Sequence, residues 1–189
     1  MLTPVTLATV GTLDTVPALS RPDLLGAPVA AFLADWPDAP AVGVAAIDPA
    51  FSDTAVFTQT YGVLPEVSGN CVVIAGRREG QERVAACVVL ATTRADVNGT
   101  VKRLLDVRKC SFMGMDDAVA RTGMEYGGIT PVGLPAGWRV LVDARVAQVA
   151  AVVVGSGVRG SKLVLPGAVL AAMPGVEVVD GLANPVPQE

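Results

Sequence analysis

Two glycine-rich stretches and one asparagine carry the residue types and spacings in this chain that could do chemistry. The first stretch, Thr122–Gly133, reads TGMEYGGITPVG and sets Gly123, Gly127, Gly128 and Gly133 around Pro131. Glycine tolerates positive φ and lets a ligand approach the backbone closely. Consecutive N–H groups in such a turn can form a concavity for an anion. The same composition also describes an ordinary long surface loop. The second stretch, Gly155-Ser156-Gly157-Val158-Arg159-Gly160, lies between two strand-like segments. It reads either as a second wall of a pocket, with Arg159 meeting an anion, or as a hairpin loop. No Gly-Lys-Ser/Thr follows it as in a phosphate loop, and it opens no helix as a dinucleotide fingerprint does. Asn70 stands just before the apolar run Cys71–Ala75. It either projects into a pocket at a strand end or closes a turn with Ser68-Gly69.

Composition narrows the chemistry. The chain has 189 residues and no histidine, which excludes a Ser-His-Asp triad, a Cys-His pair and histidine metal ligation. Cys71, Cys87 and Cys110 are odd in number, form no Cys-x-x-Cys and sit in apolar runs. They signal neither a disulfide framework nor a zinc site, and no metal or cofactor is expected. Net charge is −4, and phosphate neutralisation supplies most nonspecific affinity for nucleic acid. DNA is therefore not an expected partner, and nucleic acid could be met only by a local patch. Lys102, Arg103, Arg108 and Lys109 form one candidate patch and Arg159 with Lys162 another, though charge alone favours reading each as a solvated face. Apolar residues make up 51% of the chain, yet no run approaches the ~20 residues of a spanning helix. No membrane partner is expected, and the location expected is cytoplasmic. The abundance of small apolar residues also allows a homodimer face.

The elements that must position these residues follow from period and punctuation. Residues 1–28, with four prolines, read as an irregular extension, 29–181 as the domain and 182–189 as a loose tail. Helices are expected over Ala30–Trp36, Ser52–Tyr61 (capped by Ser52 or Asp53 and ended by Gly62), Val97–Leu105 (capped by Asp96), Asp116–Arg121 (capped by Asp116) and Gly167–Met173. Strands are expected over Val42–Ile47, Cys110–Met113, Arg139–Val142, Ala151–Val154, Lys162–Leu165 and Val176–Val179. Cys71–Ala75 and Val84–Ala91 form a hairpin around the polar turn Gly76–Gln81. Hairpin and crossover connections together predict a mixed α+β domain with one mixed, strongly curved sheet flanked by helices.

In this order and spacing the three features resemble the YbaK-like aminoacyl-tRNA deacylases, relatives of the editing domain associated with prolyl-tRNA synthetase. The resemblance runs from about Ser52 to about Met173. It rests most on Thr122-Gly123 with Gly127-Gly128-Ile129-Thr130-Pro131-x-Gly133, and on Val152-Val153-Val154-Gly155-Ser156-Gly157-x-Arg159-Gly160. It implies a free-standing hydrolase that cleaves the ester of mischarged aminoacyl-tRNA, with the tRNA 3′ end as partner. It implies catalytic roles for Asn70, Gly127, Gly128 and Thr130, with the amides of Gly127–Thr130 facing the carbonyl as charge develops. A ribose hydroxyl or an ordered water would attack. Asp53, Thr54, Ile129, Pro131, Gly155, Ser156, Gly157 and Arg159 would line the substrate site.

One departure stands out. The family usually carries a lysine at the start of the first hairpin strand, where this chain has Asn70. Asparagine offers a neutral donor and acceptor but no charge. The alternative reading is therefore a weakened or inactive module of the same fold that binds aminoacyl-tRNA or a nucleotide. A third is a structural protein that reuses the fold.

Overall fold

The computed structural model describes residues 7–186. A two-residue strand β1 (Val16–Pro17) precedes helix α1 (Ala27–Asp35). Pro28 stands in the first turn of α1, where a missing N–H costs nothing. Strand β2 (Gly43–Ala46) leads to helix α2 (Thr54–Tyr61), which ends at Gly62 in the left-handed conformation, φ 63°. Strands β3 (Gly69–Arg78) and β4 (Gln81–Leu90) then pair along their whole length. Their turn is only Glu79-Gly80, with φ of 52° and 79°. Two left-handed residues match the twist of the flanking strands, so most of the expected turn Gly76–Gln81 is strand instead.

Strand β5 (Thr93–Ala95) is followed by a wide turn over Val97–Val101 that runs into helix α3 (Lys102–Leu105). The Asp96 carboxylate accepts from the amides of Gly99 and Thr100 there, as its cap position predicts. Strand β6 (Cys110–Phe112) and helix α4 (Met115–Thr122) come next. Gly114 caps α4, not Asp116, which sits with Asp117 inside the first turn and complements the helix dipole. Strand β7 (Arg139–Asp143) passes directly into the short helix α5 (Ala144–Gln148), which no periodicity announced. Strands β8 (Val152–Gly155) and β9 (Ser161–Leu165), helix α6 (Gly167–Ala171), and strands β10 (Val176–Val179) and β11 (Ala183–Pro185) complete the described chain.

The α+β expectation holds, with the strands divided between two principal sheets rather than one. The five-stranded sheet has the order β10-β7-β4-β3-β6 and is mixed: β7 is parallel to both β10 and β4, while β3 is antiparallel to β4 and β6. The four-stranded sheet, β1-β2-β9-β8, is antiparallel throughout. A single parallel bridge between Ser68 and Val153 joins the two. Alternation along β4 sends Val88 and Leu90 into one core and Cys87 and Val89 into another. The first core is shared with α1, β8 and β9 through Val29, Leu33, Val154 and Leu163; the second is shared with α3 through Leu105. A third cluster sits under α2, where Phe57 meets Ala45, Val153 and Val164. No helix of the described residues is long and apolar enough to cross a membrane.

The two ends are more firmly held than composition suggested. Residues 1–6 and 187–189 lie outside the described residues. Within the stretch read as an extension, Leu13, Ala18 and Leu25 are buried and β1 pairs with β2. Within the stretch read as a loose tail, Leu182 is fully buried and β11 pairs with β5. The buried Asp143 carboxylate fastens this end, accepting from Ala183 N–H at 3.0 Å and from Arg145 N–H at 3.0 Å. Asp143→Ala removes a helix cap and leaves a buried amide unpaired, so it should cost about 2–3 kcal/mol. Urea unfolding would measure this, and limited proteolysis should then cut first near residue 181. An unchanged midpoint would mean that the carboxylate does not hold the C-terminal strand.

Candidate functional site

The two glycine turns meet chiefly through main chain. Gly157 N–H donates to Gly128 O at 2.8 Å, Glu125 N–H to Gly157 O at 2.9 Å and Gly128 N–H to Glu125 O at 2.9 Å. The Glu125 carboxylate accepts from Arg159 N–H at 2.6 Å. At the glycines themselves there is no room for a side chain. A Cβ on Gly128 would lie 2.6 Å from the Val158 backbone, and one on Gly155 would lie 2.4 Å from Gly128 O. These glycines are demanded by close approach rather than by turn conformation.

Beside this contact is a cavity of about 320 Å³. The residues preceding α2 and its first residue supply Ser52, Asp53 and Thr54, and β3 supplies Gly69 to Val72. The first turn adds Tyr126, Gly127 and Ile129; β8 and β9 add Gly155 and Lys162. Asn70 is oriented within it, its Oδ1 accepting from Thr54 Oγ1 at 2.8 Å. Its NH2 group is thereby turned away from Thr54.

Of the residues singled out from sequence, Asn70, Asp53, Thr54, Gly127, Ile129 and Gly155 are brought together on this cavity, and the others are not on its lining. Gly128 packs against the second turn, and its amide is already bonded to Glu125 O. Thr130 is fully buried, and its Oγ1 has no partner among the described residues. Pro131 borders a separate hollow with Phe32, Trp138 and Met173. The Ser156 hydroxyl is engaged with Ser161 Oγ at 2.7 Å, and Gly157 packs against Gly26. Arg159 forms part of the rim next to the cavity. Its guanidinium meets Asp53 at 3.3 Å and Pro49 O at 3.2 Å, and it lies over the Tyr126 ring.

Lys162 and Ser52 lie on the cavity although the sequence gives them other readings. Lys162, with Arg159, reads there as a nucleic-acid patch or a solvated face, yet it is only 9% exposed. Alternation along β9 puts it on the same face as Val164, the face covered by α2. Its Nζ donates to Ser52 O at 3.1 Å and more weakly to Gly127 O at 3.5 Å, and stands 5.3 Å from the centre of the Phe57 ring. Burial brings the ammonium down to about 8; Arg159 pushes the same way and Asp53 opposes. The pocket thus contains a cation although Asn70 is neutral. The available signal was a lysine inside an apolar strand, SKLVL. The second is Ser52, read only as a helix cap. It is 3% exposed, and its hydroxyl has no partner among the described residues.

Other chemistry is narrowed by the same geometry. Cys71 borders the cavity, but burial pushes its thiol far above the ordinary range, and Cys87 is pushed up to about 12. The thiolate is the nucleophilic form, so neither attacks at neutral pH. No group of three potential metal ligands occurs among the described residues.

A sequence model of the aminoacyl-tRNA editing domain matches residues 48–173, two thirds of the chain and all of the cavity. No protein of curated function matches the chain in sequence. Among solved structures, a candidate trans-editing enzyme for prolyl tRNA synthetase superposes with a TM-score of 0.65 at 18% identity, covering 87% of this chain and 96% of that one. A crystal structure of a hypothetical protein gives 0.66 at 20% identity, over 75% and 90%. These likenesses establish a shared fold.

Two outcomes follow from the geometry. Gly128→Ala forces a methyl against the Val158 backbone, so it should lower stability by about 1–3 kcal/mol. Thermal unfolding would detect this; a normal Tm would show that the turns can separate without cost. Lys162 binds its proton less tightly when folded than the ordinary lysine near 10.5. Between pH 8 and 10.5 the unfolded chain therefore holds more protons, and stability should rise with pH. Relative to Lys162→Met, the wild type should gain up to about 3 kcal/mol across that window in urea titrations. A constant difference between the two would mean that the amine is not desolvated.

Proposed function

The chain belongs to the aminoacyl-tRNA editing domain family, and from that premise we propose that it acts in trans as a deacylase on mischarged aminoacyl-tRNA. The observation that carries this reading is the convergence of Asn70, Thr54, Gly127, Ile129 and Gly155 on one cavity of about 320 Å³. That volume lies at the small end of ligand sites and suits an amino acid attached to a terminal ribose. Editing by a second, size-limited site is needed where a synthetase cannot reject a near-isostere by binding alone.

In the proposed reaction the aminoacyl group enters the cavity, with the ribose at the rim near Asp53 and Tyr126. Water adds to the ester carbonyl carbon, the bond to the ribose oxygen breaks, and that oxygen takes a proton. Free amino acid and uncharged tRNA result. Asn70, with its Oδ1 held by Thr54, offers its NH2 group to the ester or to the neighbouring ribose hydroxyl. Amide donors from the first turn would come from Gly127 and Ile129, since that of Gly128 is taken by Glu125.

A panel of mischarged tRNAs incubated with the protein tests the proposal. At least one should lose its amino acid faster than by spontaneous hydrolysis. Asn70→Ala should slow that reaction by roughly tenfold, the worth of one transition-state hydrogen bond. Failure to accelerate loss from any member of the panel would overturn the proposal.

A further inference from the structure

Lys162 and Ser52 form a pair of donors to which the reaction above gives no task. They are adjacent, because Lys162 Nζ donates to the carbonyl of Ser52, and both border the same cavity. Buried polar groups are almost always hydrogen-bonded, yet the Ser52 hydroxyl has no acceptor among the described residues. An ammonium carries three N–H donors. Two are directed at Ser52 O and Gly127 O, and one remains.

A purely structural role does not account for this lysine. A buried cation is costly without a counter-charge, and Lys162 has only neutral carbonyls as partners. The nearby carboxylate, Asp53, is turned to Arg159 at the rim. A hydrophobic residue would extend the apolar cluster of Phe57, Ala45, Val153 and Val164 without burying a charge, at the loss of a donor to Ser52 O and Gly127 O. What the ammonium adds is a positive charge and a donor on a cavity wall shielded by burial. That is the environment in which such a group stabilises a developing oxyanion most strongly.

We infer that the Lys162 ammonium and the Ser52 hydroxyl together receive the carbonyl oxygen of the substrate's acyl ester, an inference that rests on the deacylase reading. As water adds to the carbonyl carbon, the π electron pair moves onto oxygen, which the two donors hold. Collapse re-forms the carbonyl and expels the ribose oxygen, protonated from solvent. Lys162 keeps its proton throughout and is neither base nor nucleophile. The charged groups facing it are Arg159 and Asp53, with Glu125 held on the Arg159 amide. Its neighbours from β2, β8 and α2 are Ala45, Gly155 and Phe57, none of which titrates. The enzyme's advantage over spontaneous hydrolysis should therefore fall as pH rises through about 8.

The test is single-turnover deacylation from pH 6.5 to 9.5 by wild type, Lys162→Met, Lys162→Arg and Ser52→Ala. Binding of a non-hydrolysable 3′-aminoacylamino-adenosine is measured in parallel by calorimetry. Lys162→Met should lose about 10²-fold or more in rate, and its residual activity should no longer fall across pH 8. Lys162→Arg should recover part of the rate and keep it at high pH, since arginine stays charged. Ser52→Ala should lose roughly tenfold while its Tm stays level or rises, because a buried unpaired hydroxyl is removed. A folded Lys162→Met within about threefold of wild type, with the same pH profile, overturns the inference and leaves the deacylase proposal standing. A wild type that binds the adenosine probe without hydrolysing any tRNA overturns the deacylase proposal. In that case weaker probe binding by Lys162→Met, with a wild-type affinity that declines above pH 8, keeps the carbonyl contact, and unchanged binding removes it. A wild type that neither binds nor hydrolyses overturns both.

Discussion

The turn beginning at Thr122 and the turn beginning at Gly155 touch backbone to backbone, and most of the site's geometry follows from that contact. Gly128 and Gly155 stand where any side chain would collide with main-chain atoms. The hydrogen bonds exchanged among Glu125, Gly128 and Gly157 use up groups that would otherwise face solvent or ligand. The first turn is thereby fastened to the second, with only Tyr126, Gly127 and Ile129 on the cavity. The same bonds decide which turn amides stay free, and the Gly128 amide is not among them.

The cavity's electrostatics depend on a different element. Strand β9 alternates between two apolar environments, and Lys162 lies on the face it shares with Val164. Its charge is tolerated because two carbonyls and an aromatic face meet it. The first hairpin strand, where the family resemblance led one to look for a cation, presents neutral Asn70 instead. The same cavity receives positive charge from β9. Asn70 and Lys162 therefore have to be considered together.

Much of this was legible in the sequence, and the gaps have identifiable causes. The family, the mixed α+β class, the Gly62 stop and the Asp96 cap were all readable, because each rests on local punctuation or on motif order. Helix α5 was hidden because five residues are too few to show a helical period. The Glu79-Gly80 turn was misjudged because polar residues on both strands of the hairpin resemble a loop. Gly128, Ser156 and Gly157 belong to the motif, yet the structure uses them for packing; motif membership does not state which way a residue faces. Lys162 was missed for the converse reason. A single lysine in a short strand looks like surface until the element covering that face is known, and here the cover is α2. The C-terminal strand was unreadable because Asp143, far away in sequence, is what fastens it.

The joint between the two principal sheets has a mechanical consequence. Ser68 and Val153 make one bridge where neighbouring strands elsewhere make a ladder. The cavity opens close to that joint, between Gly69 on one sheet and Gly155 on the other. Along this seam the two sheets are held by side-chain packing rather than by a hydrogen-bonded ladder. Side chains along it, Val152 and Val154 against the bare Gly69, act as shims that set the gap. Changing those side chains by single methyl groups would alter the width of the cavity while the scaffold on both sides stays the same.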